Sequence, residues 1–105
     1  MKVVHCKKES YDVYIGRPGK WGNPFSHKEG TLAKFKVNTI KEAIEAYEKW
    51  ITEGEGQYLL NDLHELEGKT LGCWCGNFTI EDKILKCHGQ ILLKLLYNKK
   101  QIKLF

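Results

Sequence analysis

The stretch Lys69-Thr70-Leu71-Gly72-Cys73-Trp74-Cys75 decides the fold, because it reads as a strand and stands between helical segments. Before it, Thr39 and Glu42 stand three apart, as in a capping box, ahead of an apolar-periodic run. Ile40, Ala43, Ile44, Tyr47 and Ile51 recur at the spacing of one buried helix face, with Glu42, Glu45, Glu48 and Lys49 on the polar side. Gly54 and Gly56 end that helix. A second helix is predicted from about Gln57 to Glu67, with Leu59, Leu60, Leu63 and Leu66 inward and Gly68 as its stop. After the strand, a third helix is predicted from Cys87, with Ile91, Leu92, Leu95 and Leu96 on one stripe. At the other end, Val3–Cys6 and Asp12–Arg17 read as strands that could pair as a hairpin or lie side by side. The order is β-β-loop-α-α-β-α, with Lys99–Phe105 as a further edge strand or a drape over the core. This implies a small α/β domain of two or three layers.

The 105 residues suit a single domain spanning 1–105. With 42% hydrophobic and 29% charged residues, the chain has the composition of a globular protein, which argues against disorder. The net charge of +4 and pI near 8.8 suit an anionic small ligand but fall short of a nucleic-acid binder's footprint. No apolar run approaches the roughly 20 residues that span a bilayer, so no membrane partner is expected. The N-terminus Met1-Lys2-Val3-Val4-His5-Cys6 lacks a signal-peptide core. Together these features predict a cytoplasmic protein whose four cysteines are thiols, metal ligands or core residues rather than disulfides.

Between the second strand and the first helix, Gly16, Pro18, Gly19, Gly22, Pro24 and Gly30 fall within fifteen positions. That density forbids a regular element and specifies a shaped loop. Glycines let backbone N–H groups approach an anion. Arg17 offers a bidentate fork and Lys20 a mobile charge. Tyr14, Trp21 and Phe25 offer faces for a base or sugar, and Asn23 a donor and an acceptor for a base edge. Tyr14, Gly16, Arg17, Lys20, Trp21, Asn23 and Phe25 are therefore candidate ligand-binding residues. The competing reading is a rigid turn system in which Trp21 and Phe25 plug the core. No Walker or dinucleotide fingerprint is present.

The other suggestive group is Cys73, Cys75, Cys87 and His88. Cys73 and Cys75 leave one face of the strand while Trp74 points the other way. Cys87 and His88 stand at a helix start, where the dipole favours anions and thiolates. Four such ligands could hold zinc, but neighbouring Cys87 and His88 do not easily aim at one ion. Cys75 or Cys87 could instead be a nucleophile, although no third orienting group is evident. The preferred reading is small residues that let strand and helix pack closely, with Cys75, His88 and the helix N-terminus lining a pocket and no cofactor.

Tyr11-Asp12-Val13-Tyr14-Ile15-Gly16-Arg17-Pro18 and Lys20-Trp21-Gly22-Asn23-Pro24-Phe25, followed by Gly72-Cys73-Trp74-Cys75 and Cys87-His88-Gly89, resemble a family of uncharacterised small proteins. It is common in phages and also found in bacteria and archaea. Its members carry a YDVYIGRPSKWGNPF-like start and a GCWCxPxxCHGDxL-like end. The resemblance implies, by analogy, a small Rossmann-like nucleotide-handling domain and no particular activity; with the elements read above, the expected fold is a Rossmann-like sheet of three to four strands with about three helices. Gln90 stands where the family carries an acidic residue, and the 75–87 connection is longer than usual.

The expected function is binding of a nucleotide or nucleotide-derived small molecule, with sequestration of a signalling nucleotide as its use in a phage–host setting. Two alternatives stand beside it. One is an enzyme cleaving or transferring at an N-glycosidic bond. The other is a zinc-stabilised interaction module. A homodimer that completes a pocket across its two-fold axis is the expected assembly.

Overall fold

The strand over Thr70–Cys73 is the centre of the sheet, and its residues explain why. Leu71, Gly72 and Cys73 are all buried, so both faces are covered. The computed structural model describes residues 1–28 and 33–102, so Gly30 of the glycine-rich stretch lies outside the described residues. In chain order its strands are β1 (Lys2–His5), β2 (Val13–Tyr14), β3 (Phe25–Ser26), β4 (Phe35–Lys36) and β5 (Thr70–Cys73). Its α-helices are α1 (Ile40–Glu53) and α2 (Gly89–Ile102), and a 3-10 helix runs over Glu55–Leu66.

β1, β5 and β2 form one sheet in that order, with both pairings parallel. The two N-terminal strands therefore do not pair with each other. β5 is inserted between them, with Val3 and Val13 both opposite Leu71. Asp12 extends the β2 ladder: its N–H donates to the Thr70 carbonyl at 2.8 Å, and its Oδ2 accepts from the Thr70 N–H at 2.8 Å. A separate parallel pair joins β3 to β4 and stacks Phe25 on Phe35, ring centroids 5.2 Å apart.

Helix α1 starts where the sequence predicts. Thr39 is in extended conformation, and its Oγ1 accepts from the Glu42 N–H at 3.0 Å. Ala43, Ile44, Tyr47 and Ile51 are its buried stripe. Ile40, placed on that stripe by spacing, is exposed at the first position of the helix. The predicted second helix winds as successive 3-10 turns, which still bury Leu59, Leu63 and Leu66. Leu60 is only half-buried. Residues 99–102 form no edge strand, since α2 continues to Ile102, and the rest of that segment, 103–105, lies outside the described residues.

Gly89 makes the closest approach between helix and sheet. A Cβ there would lie 2.7 Å from Val3 Cγ2 and 2.8 Å from Ile15 Cδ1. The bare backbone lets the start of α2 settle on the sheet, which brings Cys87 and His88 to the end of β5. Among the described residues no helix is long and apolar enough to cross a membrane.

Candidate functional site

Because β1, β5 and β2 are parallel, their carboxyl ends lie at one edge of the sheet. The chain leaves that edge three times: at His5–Lys7, at Tyr14–Arg17 and at Trp74–Cys75. The start of α2 closes on the same edge, since His88 Nε2 lies 2.7 Å from the carbonyl of Ile15. The glycine-rich loop and the cysteine–histidine region are thus neighbours.

The loop spends most of its chemistry on itself. Trp21 is 3% exposed and belongs to the core, where its carbonyl accepts the Tyr47 hydroxyl at 2.9 Å. Its ring has no free face for a base, so the core-plug reading holds for this residue. Asn23 is also buried: Nδ2 donates to the Ala43 carbonyl at 3.1 Å, and Oδ1 accepts the Phe25 N–H at 2.9 Å. Phe25 is half-buried against Phe35. Lys20 pairs with Asp62 and Glu65, each at 2.9 Å, and those carboxylates raise its pKa. Of the loop cations, Arg17 faces the sheet edge. One guanidinium nitrogen donates to the Asn23 and Phe25 carbonyls at 3.3 and 3.4 Å. Its charge is close enough to Cys75 and His88 to bias both. Gly16 lies under the Tyr14 ring, whose hydroxyl oxygen would be 2.3 Å from a Cβ at that position.

The cysteines converge. The Sγ atoms of Cys73 and Cys87 and a ring nitrogen of His88 all lie within 4.8 Å of one another, and all three residues are buried. Adjacent Cys87 and His88 do bring their ligand atoms together with Cys73, against the sequence expectation, in the turn that leads into α2. Cys75 is exposed on the outer side, its Sγ 3.8 Å from that of Cys73. The Gly89 N–H donates to Cys87 Sγ at 3.3 Å. Hydrogen bonds from Cys75 and Cys87 hold the Cys73 thiol far below its ordinary pKa. The same contact with Cys73 pushes Cys75 up to about 11. Burial keeps His88 neutral, lowering its pKa.

Residues 2–98 match the model of a family described as a domain of unknown function, DUF4326. This chain belongs to the DUF4326 family. It is also similar to a protein of Acanthamoeba polyphaga mimivirus, "Uncharacterized protein R718". The two are 35% identical over 100 residues, covering 83% of this chain and 68% of the viral protein. No solved structure matches the chain.

Within this DUF4326 domain the rim residues that sequence reasoning passed over are Trp74, Lys7, His5 and Tyr11. Trp74 is 55% exposed, and its indole N–H donates to the Tyr14 hydroxyl at 2.9 Å. That hydroxyl donates in turn to the Arg17 carbonyl at 3.1 Å. His5 meets the Trp74 ring edge-on at 5.9 Å, and Lys7 Nζ stands 5.3 Å from its centroid. Tyr11 packs beside Tyr14 at 6.3 Å. The alternation expected of a strand through Cys75 was the available signal, although β5 ends at Cys73 and Trp74 and Cys75 lie in the bend beyond it. Gln90 braces the turn that leads into α2. Its Oε1 accepts from the Lys86 and Cys87 N–H groups at 2.6 and 2.9 Å, and Nε2 donates to the Ile84 carbonyl at 2.9 Å. An amide serves all three, because it both accepts and donates.

Proposed function

We propose that the protein binds a nucleotide or nucleotide-derived small molecule at the carboxyl edge of its parallel sheet. The observation that supports this most is the exposed Trp74, tied to the Tyr14 hydroxyl and flanked by Lys7 and Arg17. Ligands of open parallel sheets lie outside the carboxyl ends of the strands, and a three-stranded parallel sheet is a reduced, Rossmann-like version of that arrangement. Trp74 and Tyr14 supply aromatic surface for a base. Lys7 and Arg17 supply positive charge for phosphate, with the Gly16 backbone under Tyr14 and the exposed Cys75 belonging to the same edge. Trp21, Asn23 and Phe25 support this rim from behind. A homodimer would deepen the shallow rim and is part of the same proposal. In a phage, binding of this kind would sequester a host signalling nucleotide.

Calorimetric titration with nucleoside mono- and diphosphates, cyclic nucleotides and ADP-ribose tests the reading. Binding of at least one probe, abolished in Trp74→Ala, is expected. The absence of heat with every probe, in protein shown to be folded, would overturn it. Recovery of a hydrolysed or transferred product would move the assignment to an enzyme acting at the N-glycosidic bond. Native mass spectrometry of the same sample reads the subunit number.

A further inference from the structure

The cysteine–histidine cluster has a geometry that close packing does not require. We propose that Cys73, Cys75, Cys87 and His88 bind one zinc-class divalent cation that pins the end of β5 to the start of α2. Three observations carry this. The Cys73–Cys75 sulfur separation is 3.8 Å, and two thiolates at about 2.3 Å from a tetrahedral zinc are about 3.8 Å apart. Cys73, Cys87 and His88 converge within 4.8 Å from two chain segments, with Cys75 on the solvent side of the group. Three thiols and one imidazole are a donor set that suits zinc over hard cations.

The surroundings fit as well. His88 Nε2 faces a carbonyl oxygen, that of Ile15, which can only accept. In the tautomer that this carbonyl favours the proton is on Nε2, which leaves the ring's lone pair on Nδ1. A histidine that ligates a metal through one nitrogen usually gives the other N–H to a carbonyl or carboxylate in this way. The Gly89 N–H on Cys87 Sγ is the kind of donor that stabilises a thiolate.

The chain also gains from such a link. Residues 76–88 contain no helix or strand and are held by an isolated bridge between Val3 and Phe78, a Thr79–Asp82 turn and the Gln90 amide. A metal bound by ligands on both sides of this loop closes it, and because the site exists only in the folded chain its binding free energy adds to folding. It would also fix Trp74, which lies between two ligands. Each thiol that binds releases its proton to solvent, so binding weakens as pH falls.

The test is elemental analysis of the full chain purified without chelator, followed by cobalt(II) substitution. One zinc per chain is expected. The cobalt form should show the visible bands of a tetrahedral site and a strong near-ultraviolet thiolate band. Cys75→Ser, at an exposed position that should leave the fold intact, should weaken zinc binding at least tenfold and cut the thiolate band by about a third, one sulfur of three. Cys6→Ser, outside the cluster, should change neither. Three results would overturn the site. One is folded, metal-free protein that takes up neither zinc nor cobalt. Another is a Cys73–Cys87 disulfide or an iron chromophore. The last is full metal affinity retained in Cys75→Ser.

Discussion

The loop over residues 16–25 and the segment over residues 73–88 make opposite use of their chemistry. The loop is crowded with glycines, cations and aromatics, yet its groups are largely satisfied inside the protein: Trp21 in the core, Asn23 on Ala43 and Phe25, Lys20 on Asp62 and Glu65. The second segment looks plainer, yet it carries the exposed indole and the converging thiols. The difference teaches that a residue's chemistry is available only after its internal partners are counted. A buried amide with every hydrogen bond made is structure, whatever its potential for reading a base.

Substitutions sharpen this contrast in order of size. Trp21→Ala should be the most damaging, because it empties a core position. A loss of about 3–5 kcal/mol is expected in denaturant unfolding, and a loss under about 1 kcal/mol would return Trp21 to the ligand. Asn23→Ala should cost about 1–3 kcal/mol, since it strands the half-buried Phe25 N–H and removes the bond that ties the loop to the Ala43 carbonyl of α1. Trp74→Ala should reverse the pattern: stability within about 0.5 kcal/mol of the parent, as for an exposed residue, with nucleotide binding lost. Lys20→Gln should change neither the unfolding midpoint nor binding, because its ion pairs are exposed and screened. A variant at Lys20, Trp21 or Asn23 that keeps full stability and loses ligand would break the contrast.

Helix α1 was legible residue by residue, because capping and a buried stripe are local signals: Thr39 bonds Glu42, and Ala43, Ile44, Tyr47 and Ile51 face inward. The sheet was legible only as an inventory of strands. β2 has two residues, and its partner β5 comes more than fifty residues later, so neither parallel pairing nor the β1-β5-β2 order has a local signature. The loop and the start of α2 come together at the Ile15–His88 contact, a long-range meeting that no local pattern marks. Which loop residues face outward was not legible. Glycine-rich backbone has no periodicity from which to read a buried side. Trp74 was hidden differently: alternation gave its direction, but only the assembled sheet edge brings Tyr14, His5 and Lys7 around it.

The most direct measurement is a two-dimensional nitrogen–proton NMR titration of the full chain with ADP-ribose and the nucleotide panel. The Trp74 indole N–H gives its own resolved signal there. That signal should shift with added ligand, together with the backbone amides of Lys7, Gly16, Arg17 and Cys75. Shifts confined to the groove lined by Glu48, Asp82, Lys94 and Tyr97, with the Trp74 indole unmoved, would contradict the assignment of the sheet edge as the binding face.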